Sequence, residues 1–281
     1  MSALDISCKA IHNEHQRRVD AYFDATALDW STIYSQESVY AVIHQQRQAL
    51  VLALVDGLHL PSRSEVLDIG CGTGLISVAL ARHGYRVHAA DTVDRMLNLT
   101  RRRAADSGVA HRVTAALADI NHLTYASNHF SLVLAIGVLP WLTSVYRPIC
   151  EIARVTKDDG YLIANIDNQW RLNEILDPRL NPVHASMRRM LRRLRRNQQR
   201  PDTQRCSKKA FDDILNNAGY VKLEGITLGF GPFSLFGHEL LSESIGTRVH
   251  NALQHLADRN TPLLRSTGAQ YIVLAKKKTL R

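Results

Sequence analysis

The sequence predicts an α/β fold in which a largely parallel sheet is wound by crossover helices, and three observations predict it. Short apolar runs of strand length alternate with stretches of helical periodicity between residues 65 and 166. Glycines stand where the first two of those helices should stop, at Gly84 and Gly108. The chain of 281 residues, 45% hydrophobic and 22% charged, is long and apolar enough for one large core with attachments.

Residues 9–30 and 36–56 read as helices that precede the core. The second places Val39, Val42, Ile43, Leu50, Ala53 and Leu54 at helical intervals, with Ser35 as its N-cap and Gly57 as its stop. Strands are expected at 65–70, 86–91, 113–118, 131–137 and 160–166, with helices at 74–83, 93–106 and 144–156. An irregular segment from Asp167 to Pro182 leads to a strongly basic helix, then to a helix near 207–218 closed by Gly219. Two last strands, near 220–228 and 269–276, are separated by a stretch too long for a structureless loop, read as an inserted cap with a helix from Ser242 to Asp258. The expected organisation is an N-terminal helical segment (1–60), a core (61–166), a basic lid region (167–206), and a C-terminal helix and strand pair carrying the cap (207–281).

Composition excludes several classes. The longest apolar stretches, Ala49–Val55 and Leu132–Leu139, fall far short of the roughly 20 residues that cross a bilayer. The polar N-terminus has no secretory pattern, and Cys8, Cys71, Cys150 and Cys206 are too scattered for a zinc or redox pair. A cytoplasmic protein with reduced thiols is expected. No metal-ligand cluster is visible either, since His12 and His15 read as surface residues of a helix.

The chemistry concentrates in Val66-Leu-Asp-Ile-Gly-Cys-Gly-Thr-Gly74, a buried strand that runs into Gly70-x-Gly72-x-Gly74 just before a helix. Glycines let the backbone approach a ligand, and the helix start offers free N–H groups. The spacing lacks the Gly-x-Gly-x-x-Gly register of dinucleotide sites, and Asp68 sits at the strand end. Asp91 ends the second strand, where a carboxylate can accept both ribose hydroxyls, and it can also cap the helix that follows. Asp119 follows the third strand, placed to accept from an adenine amino group, with Ile120 covering the ring. Three acids beside one glycine turn suit an adenosine without phosphates, because carboxylates would repel a polyphosphate.

These motifs resemble the class I S-adenosylmethionine-dependent methyltransferases. VLDIGCGTG resembles their first motif, AADTVDRML their second-strand acid and helix, LADI their adenine contact and SLVLAIGVLPWL their fourth strand, all in order over residues 62–166. Two departures are Phe130-Ser131 in place of Phe-Asp, and Lys157-Asp158-Asp159-Gly160 in place of Pro-Gly-Gly. The N-terminal helices are more loosely similar to small-molecule enzymes of the quinone-pathway and magnesium-protoporphyrin types.

The resemblance implies a Rossmann-like sheet of seven strands with the last pair antiparallel. It also implies S-adenosyl-L-methionine as cofactor. Asp68 and the turn Gly70, Cys71, Gly72 and Gly74 would hold the methionine part, Asp91 the ribose and Asp119 the adenine. Thr92, Met96 and Ile120 would line the adenosine pocket, and the backbone at Ile136 would face the methionyl end. A small, hydrophobic acceptor methylated at oxygen is expected, with Phe230, Phe233 and Phe236 of the cap supplying an apolar wall. No catalytic base is singled out among Tyr34, His122, His129, Trp141, Asn165, Asp167 and His238.

The net charge of +9 is local: from His184 to Lys209 ten Lys or Arg face one acid, Asp202. Val183, Met187, Met190, Leu191 and Leu194 share one helical face, with arginines from Arg188 to Arg196 on the others. A solvated lid, an anionic membrane surface, an acidic carrier protein or an RNA would each suit such a helix. RNA is disfavoured because the charge is confined to one element and no Asn/Asp-Pro-Pro-Tyr motif follows strand four. A non-catalytic cofactor-binding protein is the remaining alternative.

Overall fold

The computed structural model describes residues 3–175, 201–235 and 238–279. The basic helix at Arg188–Arg196 and the cap residue Phe236 therefore lie outside the described residues, as does most of the expected lid.

Helices α1 (Ala3–Ala25), α2 (Ala27–Thr32) and α3 (Val39–Gly57) come first. The α3 N-cap is Ser38, whose hydroxyl accepts from Ala41 N, and not Ser35, which closes a 3-10 turn by donating to Thr32 O. Gly57 is the last residue of α3, and the left-handed residue beyond it is His59 at φ 48°.

The core then alternates β1 (Glu65–Ile69), α4 (Leu75–Arg82), β2 (Arg86–Asp91), α5 (Asp94–Asp106), β3 (Val113–Leu117), β4 (Phe130–Ala135), α6 (Tyr146–Val155) and β5 (Thr156–Asn168). After α7 (Leu172–Ile175) come β6 (Arg205–Cys206), α8 (Lys208–Asn217), β7 (Tyr220–Leu228), the hairpin β8 (Ser234–Leu235) and β9 (His238–Glu239), α9 (Glu243–Asp258), α10 (Leu264–Thr267) and β10 (Gln270–Lys277). No helix among the described residues is long and apolar enough to cross a membrane.

The sheet runs β3-β2-β1-β4-β5-β10-β7, with β10 antiparallel to both neighbours and the two-residue β6 added to the C-terminal end of β5. Both faces are covered, which is why β4 reads as apolar from Leu132 to Ala135. Its Leu132 and Leu134 pack with Val51 and Val55 of α3 and Val78 of α4, while Val133 and Ala135 face Ile149 and Ile152 of α6 and Phe211 of α8. Strand β5 is longer than expected: residues 157–160 bulge between the pairs Phe130↔Thr156 and Leu132↔Tyr161, with Asp159 at φ 60°. The Lys-Asp-Asp-Gly departure thus forms a bulge at the sheet's lower end, remote from the glycine turn.

The cap is tied to α3 through His250, which is fully buried. Its Nδ1 accepts from Phe230 N at 3.1 Å, so in a neutral ring Nε2 carries the proton and donates to Gln46 Oε1 at 2.9 Å. Burial lowers the His250 pKa from 6.5. The folded state then binds fewer protons than the unfolded one, so the stability His250 supports is complete above about pH 6.5 and is lost as pH falls towards the folded value. Melting temperatures measured from pH 7.5 down to pH 5 should fall, and His250→Gln should flatten that slope.

Candidate active site

One large cavity opens at the C-terminal ends of β1, β2, β4 and β5, about 1370 Å³ with its mouth included. Asp68, Gly70, Cys71, Gly72, Asp91, Thr92, Met96, Asp119, Ile120 and Ile136 all line it.

Asp68 ends β1 almost wholly buried at 2% exposure, and its Oδ2 accepts from Ser77 Oγ at 2.5 Å. Burial pushes its pKa up to about 6; the Ser77 hydroxyl opposes the rise and the neighbouring Asp91 adds to it. Asp91 holds the turn from the side: Oδ2 accepts from Gly72 N at 2.9 Å and Oδ1 from Val93 N at 3.0 Å. Val93 is the N-cap of α5, so Asp91 serves the cap and the glycine turn together. Thr92 Oγ1 donates to Asp20 Oδ1 of α1 at 2.7 Å, which brings the first helix over the pocket. Asp119 is exposed, and one oxygen accepts from both the backbone and side-chain nitrogens of Asn121 at 2.8 Å.

The glycines divide the work unequally. Gly72, at φ 53°, lines the cavity and has open space where a Cβ would stand. Gly74 does not line the cavity: it caps α4 at φ 76°, and a Cβ there would lie 2.7 Å from the Thr100 side chain. Its role is close packing of α4 against α5. Burial and the carboxylates of Asp68 and Asp91 push the Cys71 thiol well above its usual pKa, so Cys71 is a lining residue and no nucleophile.

Of the residues considered as bases, Tyr34, Trp141, Asn165 and Asp167 line the cavity, whereas His122 and His238 are exposed elsewhere and His129 lies at the opposite end of the sheet. Asp167 is held by Arg171 at 2.9 Å. Asn165 Oδ1 accepts from Gly137 N at 2.6 Å, which aims the amide, and its Nδ2 is buried without a partner among the described residues. His15 is half-buried and its Nε2 donates to Trp141 O at 2.7 Å, so it is no surface histidine but a tie between α1 and the turn after β4.

Sequence reading expected the leading helices near the acceptor and named Tyr34, but missed Trp30, Tyr40, His44 and Arg47. Trp30, Tyr34, Tyr40 and His44 form an aromatic wall, with ring centroids 5.6 Å apart for Trp30–His44 and 4.2 Å for Tyr40–His44. His44 Nδ1 donates to Tyr40 O at 2.8 Å, which fixes Nε2 as the acceptor nitrogen of the neutral ring. Arg47 also lines the cavity, 8% exposed, beside Gly137, with no hydrogen bond or ion pair to another described residue. A signal was present: Ile43, Arg47 and Val51 are four apart, which puts a cation in the buried stripe of α3.

Residues 67–164 match the family described as a methyltransferase domain. The chain is 30% identical over 147 residues to a malonyl-[acyl-carrier protein] O-methyltransferase of Geobacter sulfurreducens, covering 52% of this chain and 51% of the relative. It is 29% identical over 154 residues to a demethylmenaquinone methyltransferase of Lactiplantibacillus plantarum, covering 54% of this chain and 63% of the relative. The chain thus spans about half the length of the curated relatives it matches. The fold resembles that of magnesium protoporphyrin IX methyltransferase from Synechocystis with SAH bound, with a TM-score of 0.62 and 19% identity over 94% of this chain and 100% of that one.

Proposed function

We propose that this chain, whose residues 67–164 match a methyltransferase domain, binds S-adenosylmethionine in the cavity above β1 and β2 and transfers its methyl group to a small, largely apolar acceptor at oxygen. The observation that carries this reading is the charge pattern of one cavity: the carboxylates Asp68, Asp91 and Asp119 together with the buried cation Arg47, unpaired among the described residues. A nucleoside with a zwitterionic amino-acid tail matches that pattern. Asp68 would take the ammonium, Arg47 the carboxylate, Asp91 the ribose hydroxyls and Asp119 the adenine amino group, with Met96 and Ile120 on the ring faces.

Once bound, the sulfonium supplies a methyl group that is already activated. The chain's own task is to orient the acceptor and exclude water. Phe23, Trp30, Tyr40 and Trp141 give the free part of the cavity an apolar lining. Asn165 Nδ2 offers that space a donor, and the Asp167 carboxylate could take a proton from an acceptor hydroxyl. One relative's printed name, malonyl-[acyl-carrier protein] O-methyltransferase, supports oxygen as the nucleophile. It also supports an acidic carrier as the partner of Arg188–Arg196.

Purified protein should bind S-adenosylmethionine and, with methyl-labelled cofactor, label an acceptor from a panel of phenols, carboxylic acids and carrier-bound acyl chains. Binding without transfer to any of them would leave a cofactor-binding protein and sink the methyl-transfer reading. Affinity should also depend on pH with a definite sign. In the empty site Asp68 is largely protonated at pH 5 and ionised by pH 7, so a bound cation favours the higher pH and releases a proton on binding below about pH 6. Calorimetry at pH 5 and pH 7 in buffers of different ionisation enthalpy checks both the direction and the proton.

A further inference from the structure

The N-terminal ends of the strands carry a second constellation, opposite the cavity. Glu65 opens β1, His88 is the third residue of β2, and His129 immediately precedes β4. Because β1 lies between β2 and β4, the three side chains come from two adjacent strands and the residue that leads into a third, with the carboxylate in the middle. Their ligand atoms lie within 4.8 Å of one another, and all three residues are half-buried. Spacings of 23 and 41 residues hide the group from any local motif search, and the sequence reading had found no ligand cluster.

We propose that Glu65, His88 and His129 form a binding site for a divalent transition metal, zinc being the best match to two imidazoles and one carboxylate. Ligands on a tetrahedral zinc ion stand roughly 3.3–3.5 Å apart, from bond lengths of about 2.0–2.2 Å, so the group must contract by little more than 1 Å. One pair needs no contraction at all, His88 Nε2 and Glu65 Oε2 being 3.0 Å apart. The rings of His88 and His129 lie 5.8 Å apart between centroids and perpendicular, an approach that suits two imidazoles converging on one ion.

The surroundings favour ligation. Arg86 Nη1 bonds the other oxygen of Glu65 at 3.3 Å, which turns Oε2 towards the histidines. Tyr125 and Phe130 stack edge-on against His88, at 5.6 and 5.2 Å, and fix its ring. His129 is held through its backbone, its N–H donating to Val155 O at 2.8 Å. Three protein ligands leave one position for water.

Glu65 and Ile69 are four steps apart along β1, roughly 13 Å at the usual rise, so the ion would take no part in chemistry at the cavity. It would instead clamp the segment before β4 to the edge of β1 and β2. The test is a zinc titration of the full chain against a chromophoric chelator, repeated with His129→Ala and Glu65→Gln, and a cobalt titration read by visible absorption. One equivalent of zinc bound at micromolar concentration or tighter, weakened at least tenfold by either substitution, and a tetrahedral cobalt spectrum lost in His129→Ala, are expected. His129 is half-exposed, so that variant should fold and keep its S-adenosylmethionine affinity. Zinc binding equal in wild type and both variants, or no binding at all by folded protein, overturns the proposal without touching the cofactor reading.

Discussion

Asp91→Ala should weaken S-adenosylmethionine and S-adenosylhomocysteine alike by about a hundredfold. Two hydrogen bonds from a carboxylate to ribose hydroxyls contribute about 1.5 kcal/mol or more each, and a loss of about 3 kcal/mol is roughly a factor of a hundred in Kd. The substitution also removes the acceptors of Gly72 N and Val93 N, so the glycine turn loses its lateral support. Asp91→Asn separates the two effects, since one carbonyl oxygen can still bind one of those amides while the ribose loses a charged acceptor. Calorimetry with both ligands, alongside thermal melts of the variants, checks this. Wild-type affinity in a well-folded Asp91→Ala protein would mean that the second-strand acid serves only the turn, and the placement of the ribose would have to be given up.

How much of this site could be read from the sequence depends on how local each device is. Asp68, the Gly70–Gly74 turn, Asp91 and Asp119 each sit at the end of a strand whose neighbours in sequence make the strand, so the topology of a parallel sheet brings them together at one edge. The helix and strand order was legible for the same reason. Arg47, His44 and Trp30 belong to helices packed over that edge, and their part in the cavity depends on how α2 and α3 dock, which no local pattern states. Gly74 looked like its neighbours in the motif, yet its constraint comes from Thr100 on another helix. Ser35 and Ser38 are both good N-caps by residue type, and the 3-10 turn through Ile33–Ser35 decides between them. Glu65, His88 and His129 are the extreme case, joined only by strand register.

Arg47→Met tests the part of the site that the sequence did not announce. In the empty protein a guanidinium at 8% exposure without a charged partner among the described residues is a cost, because burial removes water that nothing replaces. Methionine keeps an unbranched chain of similar reach and removes the charge, so the free protein should melt at the same temperature or higher. The same change should weaken S-adenosylmethionine by tenfold to a hundredfold, the roughly 1.5–3 kcal/mol of a hydrogen-bonded charge pair. Decarboxylated S-adenosylmethionine makes the assignment specific: it keeps the sulfonium, the ammonium and the nucleoside but lacks the group Arg47 is assigned. It should bind wild type weakly and Arg47→Met about equally. If the substitution weakened both ligands by the same factor, Arg47 would be supporting the shape of the pocket or contacting the acceptor, and the zwitterion match on which the cofactor placement rests would lose its cationic half.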